Sequence, residues 1–297
     1  MRAFLKVQEG CDAGCAYCIL PMVRGRPRSR PLADAVAEAE RLAAAGFREI
    51  VLTGIHLGLY GRDLGDGTDL AALVGAVAET PGLERLRLSS VEAGELTPQL
   101  LDAMRHPAVC PHLHLPLQSG DAQVLRAMRR PYSPAQFEAA VEFARLMLER
   151  PAITTDVMVG FPGETEEQFE RTLDFCRRVR FSRMHVFPFS ARHGTVAAAM
   201  PGQLAPAVIA RRAARLRRLA AELAAGWAEG FVGTSVRVLF EREARPGVLV
   251  GYTDRYVRLS APGPASLVGR AARVRCTGCD GPALRGQVER RGARRRG

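Results

Sequence analysis

The sequence contains one lysine. Lys6 stands alone, and every other basic side chain is an arginine, set among long alanine runs. This is the usage of a GC-rich coding sequence, in which surface arginine accumulates without a ligand. The net charge of +11 and the isoelectric point near 10.0 therefore permit a polyanionic partner, nucleic acid first, without establishing one. Long apolar runs are missing as well. The longest stretch free of Asp, Glu, Lys and Arg, 193–210, is broken by Pro201, Gly202, Gln203 and Pro206, and does not read as a membrane span. No charged-then-apolar leader opens the sequence, since Arg2 runs directly into a strand-like segment. Seven cysteines are too few, too uneven and odd in number for a secreted disulfide framework. A reducing cytoplasm is the expected compartment, with no membrane partner, and no internal repeat is visible.

What is present is alternation. At 297 residues, 47% of them hydrophobic, the chain can bury a sizeable core and suggests two domains. Strand-like runs occur at 3–7, 49–54, 85–91, 112–117, 153–160 and 183–189. Helical stretches lie between them at 34–45, 70–79, 98–105, 121–129 with 134–149, and 166–178. This pattern predicts an α/β fold with a parallel sheet and right-handed crossovers, curled into an open or partial (β/α)6 barrel. In such a barrel the loops after the strand C-termini carry the chemistry. An Arg/Ala-rich helix follows at 206–229, and then short β-rich runs at 236–241, 247–259 and 272–279, separated by Gly and Pro. They predict a small antiparallel β-barrel. The expected organisation is a core at 1–205, a linking helix at 206–229, a β domain at 230–290 and a disordered basic tail at 291–297.

The first strand ends in EGCDAGCAYC. Cys11, Cys15 and Cys18 are spaced C-x3-C-x2-C in a loop loosened by Gly10 and Gly14. A tetrahedral zinc site needs a fourth ligand, and the nearest candidate pair, Cys276 and Cys279, lies across the whole chain. A thioredoxin-like redox pair leaves Cys11 unexplained. Three thiolates in one loop can instead hold three irons of a [4Fe–4S] cluster, leaving the fourth iron open to a substrate. Cys110 and Cys176 read as buried and inert. Cys276 and Cys279 read equally well as a metal pair or as incidental.

With Tyr17 before the third cysteine, this loop resembles that of the radical S-adenosylmethionine (SAM) enzymes. In that family the open iron chelates SAM, and one electron cleaves the sulfonium to a 5′-deoxyadenosyl radical. Polar groups and glycines are then expected at the other strand ends. LTGIH (52–56) offers Gly54, which resembles the family's glycine motif for the SAM amino group; taken alone it is a turn. SSVE (89–92) offers Ser90 and Glu92, able to bond ribose or an ammonium. HLPLQSGD (114–121) offers Gln118, while Asp121 reads as a helix cap. DVMVGFPGET (156–165), with Asp156 and Gly160, resembles the adenine-contacting motif, with Glu164 and Thr165 as cap; its plain reading is strand–helix punctuation. RGRPRSRP (24–31) places Arg30 for the SAM carboxylate or a nucleic-acid backbone, or else in a solvated loop.

Together with HVFPFSARHGT (185–195), these motifs resemble the methylthiotransferase branch of the family over residues 3–195. The wording LTGI…G-YG is most similar to members that modify N6-threonylcarbamoyladenosine beside the tRNA anticodon. The resemblance implies a [4Fe–4S] cluster on Cys11, Cys15 and Cys18, and SAM against Tyr17, Arg30, Gly54, Ser90, Glu92, Gln118, Asp156 and Gly160. It further implies tRNA as partner and an electron donor such as flavodoxin or ferredoxin. The C-terminal strands resemble the RNA-gripping TRAM domain, with Tyr252 and Tyr256 stacking bases or packing in the barrel, and Arg192 facing the substrate. Relatives in that branch carry an N-terminal domain with a second cluster; this sequence starts at the core, so it reads equally as a fragment, a mis-started gene or a form that cleaves SAM without completing methylthiolation. Alternative readings are action on isopentenyladenosine, action on a ribosomal-protein aspartate, a non-catalytic iron–sulfur RNA-binding module and a zinc-binding regulator.

Overall fold

The computed structural model describes residues 2–289. The basic tail expected at 291–297 lies outside the described residues. Six parallel strands follow one another in chain order: β1 (Arg2–Lys6), β2 (Glu49–Thr53), β3 (Arg85–Leu88), β4 (His112–His114), β5 (Ala152–Val159) and β6 (Arg183–Pro188). The first three form one sheet and the last three another. Parallel bridges between Ser90 and His114 and between Leu86 and Val109 join the two into one curved, partial barrel. Besides the short helix Leu20–Arg24, the described residues hold α1 (Leu32–Ala44), α2 (Leu70–Ala78), α3 (Pro98–Ala103), α4 (Ala122–Ala127), α5 (Pro134–Met147), α6 (Glu166–Val179) and α7 (Pro206–Glu229).

Helix α6 shows why these segments form and stay. Thr165 and Gln168 close a capping box at its start, and Phe169, Leu173, Cys176 and Val179 repeat every three or four residues on the buried side. Each such Phe or Leu gains about 1.5–3 kcal/mol from burial. Helix α5 starts likewise, with a Ser133–Gln136 capping box and Pro134 at its first position. Asp121 caps α4, accepting from Gln123 and Val124 amides, both at 2.9 Å. The strand expected over 112–117 is shorter, spanning His112–His114, and the chain turns at Gln118 (φ 67°).

At the N-terminal end of the strands lies a buried ionic layer. Glu49, fully buried, meets Arg2 at 2.7 Å, Arg87 at 3.2 Å and Arg85 at 3.6 Å. This is the closed end of the barrel, opposite the loops that carry chemistry.

Contacts divide the chain within α7, between Leu223 and Ala224. The second unit holds β7 (Ser235–Arg245), β8 (Val248–Thr253), β9 (Arg258–Pro262), β10 (Ala271–Asp280) and β11 (Ala283–Val288), closed in the order β8-β9-β11-β10-β7. Val238, Phe240, Leu249, Leu259, Val274 and Leu284 fill its interior. The run 247–259 is two strands, because Thr253 Oγ1 accepts from the Val257 amide at 3.1 Å and Tyr256 turns through φ 60°. Four pairings are antiparallel, while β9 and β11, which close the barrel, run parallel. Among the described residues, no helix is long and apolar enough to cross a membrane.

Candidate active site

The cysteine loop is held from both sides before any ligand is considered. Behind it, Gln8–Glu9 pairs with Arg28–Ser29 in a short antiparallel ribbon. The Cys11 amide donates to the Gly25 carbonyl at 3.0 Å, and the Ala16 amide to the Met128 carbonyl at 3.0 Å. Gly10 is required where the ribbon meets the loop. Its φ is 76°, and a Cβ there would lie 2.0 Å from the Arg26 carbonyl oxygen. Gly10→Ala is therefore expected to cost about 1–3 kcal/mol of strain. Iron per reconstituted chain and the melting temperature should fall together, and wild-type values for both would refute the role.

Above the loop is a cavity of ≈ 250 Å³. Cys11, Cys15 and Cys18 line it, together with Tyr17, Ser90, Glu92, Gln118 and Asp156. These residues come from the loops or ends after β1, β3, β4 and from β5, so the barrel brings together what the sequence scatters. Gln118 is held in its left-handed conformation by two backbone bonds, its amide to Asp156 (2.8 Å) and its carbonyl from Met158 (2.9 Å). Asp156 Oδ1 lies 3.3 Å from His114 Nε2. Burial pushes the Tyr17 phenol up.

Other expected site residues lie outside the cavity wall. Arg30 is fixed by its backbone, its amide donating to Val7 at 2.8 Å and its carbonyl accepting from Tyr60 at 2.8 Å. Gly54 faces inward, where a Cβ would lie 2.8 Å from Gln8 Oε1. Gly160 faces α7, a Cβ there falling 2.6 Å from Ile209. Its amide donates to Glu164 at 2.8 Å, so Thr165 alone caps α6, and Glu164 turns inward to pair with Arg212 at 2.7 Å. Arg192 is exposed. Tyr252 and Tyr256 stack on each other, half-buried, with ring centroids 5.0 Å apart.

The structure also adds residues that sequence reasoning passed over. His56 and Arg130 line the cavity beside the thiols. His56 Nδ1 lies 3.4 Å from Cys11 Sγ, and its Nε2 lies 2.7 Å from Glu95 Oε1. Burial opposes the charge on His56, but Cys11 and Glu95 outweigh it and raise its pKa to about 10. Burial likewise raises the Cys11 thiol, but the contacts to His56 and the Ala13 amide reverse this and leave it below its ordinary value. Burial pushes the Cys18 thiol up. Arg130 donates to Cys15 Sγ at 3.3 Å, grips the Glu92 carboxylate and lies 4.9 Å over the Tyr132 ring. Arg130 was hidden among Arg126 and Arg129, which look like any exposed helix end.

The donor set fits an iron–sulfur cluster. All three loop cysteines are free thiols, partly exposed on one cavity. A single zinc ion needs its thiolates about 2.3 Å from one point. A cubane instead takes one thiolate at each of several irons, which suits three thiols spread along one loop. Cys276 and Cys279 share β10, the first buried in the barrel interior. Cys110 and Cys176 are buried, and burial pushes the Cys176 thiol up to about 12.

Residues 5–176, more than half of the chain, match the family model described as the radical SAM superfamily. The chain is a member of the radical SAM superfamily. Enzymes of this family work with a [4Fe–4S] cluster and SAM. Among curated relatives, the threonylcarbamoyladenosine tRNA methylthiotransferase MtaB of Bacillus subtilis is 38% identical over 97% of this chain and 65% of its own length. The tRNA-2-methylthio-N(6)-dimethylallyladenosine synthase of Moorella thermoacetica is 39% identical over 97% of this chain and 65% of its own. This radical SAM chain thus spans about two-thirds of the length of those relatives. A solved radical SAM methyltransferase from Kitasatospora setae, with cobalamin and a [4Fe–4S] cluster bound, shares the fold at a TM-score of 0.56. It is 18% identical, and the match covers 66% of this chain and 38% of that one.

Proposed function

We propose that this chain supplies the SAM-cleaving barrel of a tRNA methylthiotransferase, which places a methylthio group on C2 of N6-threonylcarbamoyladenosine beside the anticodon. The observation that carries the chemistry is one cavity shared by three free thiols and the ends of successive parallel strands. Cys11, Cys15 and Cys18 would hold the [4Fe–4S] cluster, which supplies the electron for reductive cleavage of SAM when bound. Tyr17, Ser90, Glu92, Gln118 and Asp156 surround the space SAM would take. Arg30, Gly54 and Gly160 would act from behind that wall, by holding the loops in place.

The choice of substrate rests on the likeness to the Bacillus subtilis relative and on the wording LTGIHLGLYG at 52–61. The net charge of +11 suits a polyanion. The five-stranded barrel is proposed as a TRAM-like module, with the stacked Tyr252–Tyr256 pair and Arg192 toward RNA. An anticodon-loop base is already unstacked, so presenting its edge costs little. A cytoplasmic setting and a flavodoxin- or ferredoxin-type electron donor complete the reading. The dimethylallyladenosine reading is carried by the equally similar Moorella thermoacetica relative.

Two measurements test this. The reduced, reconstituted chain should convert SAM to 5′-deoxyadenosine; no product above a cluster-free control would leave a non-catalytic RNA-binding module. Mass analysis of tRNA nucleosides from cells lacking the gene should show loss of the methylthio form of threonylcarbamoyladenosine. Loss of the dimethylallyladenosine derivative instead would transfer the assignment to the second reading.

A further inference from the structure

Two of the three loop thiols meet a side-chain nitrogen that is itself backed by a carboxylate. The His56 ring bridges Cys11 Sγ and Glu95 Oε1, at 3.4 and 2.7 Å. Arg130 bridges Cys15 Sγ, at 3.3 Å, and the Glu92 carboxylate. Both carboxylates belong to one turn: Glu92 caps the 3-10 segment Ala93–Glu95, and its amide donates to Glu95 Oε2 at 3.1 Å. The turn after β3 therefore carries the support for donors that reach two separate cysteines.

The His56 side of this arrangement is built in detail. Gln8, buried at 1% exposure, accepts from the His56 amide at 2.8 Å, which fixes the backbone under the ring. A Cβ on Gly58 would lie 1.8 Å from Glu95 Oε2, so a larger residue 58 would displace the carboxylate. An imidazole with a carboxylate at one nitrogen and a thiolate sulfur at the other faces an acceptor on each side. The ring therefore presents Nδ1 to the Cys11 sulfur while the Glu95 carboxylate holds Nε2.

Hydrogen bonds to cysteine sulfur are among the factors that set an iron–sulfur cluster's reduction potential. A donor stabilises the reduced cluster more than the oxidised one, because the sulfurs carry more negative charge after the electron arrives. We propose that His56, oriented by Glu95, is a positioning residue that donates Nδ1–H to the Cys11 sulfur and raises the reduction potential of the cluster. This rests on the reading that Cys11, Cys15 and Cys18 hold that cluster.

The test is an EPR-monitored redox titration of the anaerobically reconstituted full chain, with iron content measured on each sample. His56→Leu keeps bulk but removes the donor. It should retain wild-type iron and shift the midpoint to more negative potential, by about tenfold in the reduced-to-oxidised ratio, or about 59 mV for one electron. His56→Gln, which keeps an N–H donor, should fall between wild type and His56→Leu. A His56→Leu midpoint equal to wild type at full iron content overturns the proposal. So does loss of iron in both variants, which would make His56 a brace of the loop. Wild-type protein that takes up no cluster fails differently: it removes the reading of the three cysteines, and this proposal with it.

Discussion

Cys11→Ala, Cys15→Ala and Cys18→Ala are each expected to leave a folded chain that retains no [4Fe–4S] cluster after anaerobic reconstitution. Changing a residue behind a metal ligand typically costs 10–100-fold in affinity or activity, and removing a ligand should cost more than about 100-fold. The fold should survive, because the loop is anchored by backbone bonds that do not involve the thiols: Cys11 to Gly25 and Ala16 to Met128. The thiols themselves face a cavity and contribute little packing. Cys110→Ala and Cys176→Ala provide the contrast. Both are buried away from the cavity, so they should keep full iron and lose only packing stability. Iron and sulfide analysis, the visible absorption of the cluster and the melting temperature check all five variants. Wild-type iron in any of the three loop variants would overturn the assignment of that thiol.

The second large effect is expected at the other end of the barrel. Glu49→Gln keeps the shape of the side chain but removes the carboxylate charge that faces Arg2, Arg85 and Arg87. Glu49 has no exposed surface, and Arg85 and Arg87 are 2% and 3% exposed, so water does not replace the lost charge. Breaking a buried ion pair from one side costs about 3–5 kcal/mol. For a chain of this size that corresponds to a fall in Tm of about 10 °C. The Glu138–Arg178 pair sets the comparison, since its arginine side chain is 56% exposed. Glu138→Gln should therefore change stability by less than about 1 kcal/mol. Thermal unfolding of both variants decides the matter. Equal, small shifts would show that the buried layer contributes no more than a surface pair.

The cysteine loop, the strand–helix alternation and the caps at Asp121 and Thr165 were legible from residue order alone. Each depends on neighbours a few positions apart: thiols within one loop, apolar residues at period two or near four, a polar side chain reaching an amide two or three residues on. Local patterns of this kind survive in one dimension. They were enough to predict an α/β barrel with three thiols in one loop at the end of its first strand, and membership in the radical SAM superfamily agrees with that fold.

What surrounds the thiols was settled only by the tertiary structure. His56 meets Cys11 across 45 positions, and Arg130 meets Cys15 across 115. Neither residue carries a local mark: one histidine after a strand and one arginine in an arginine-rich stretch look like many others. Glu164 was expected to cap a helix, yet pairing with Arg212 turned it inward. The same holds for the parallel pair that closes the small barrel. Spacing along the chain specifies contacts whose partners are within a turn or a loop of each other. Contacts between remote segments follow from how strands register and helices pack, and those depend on the summed burial of many side chains together.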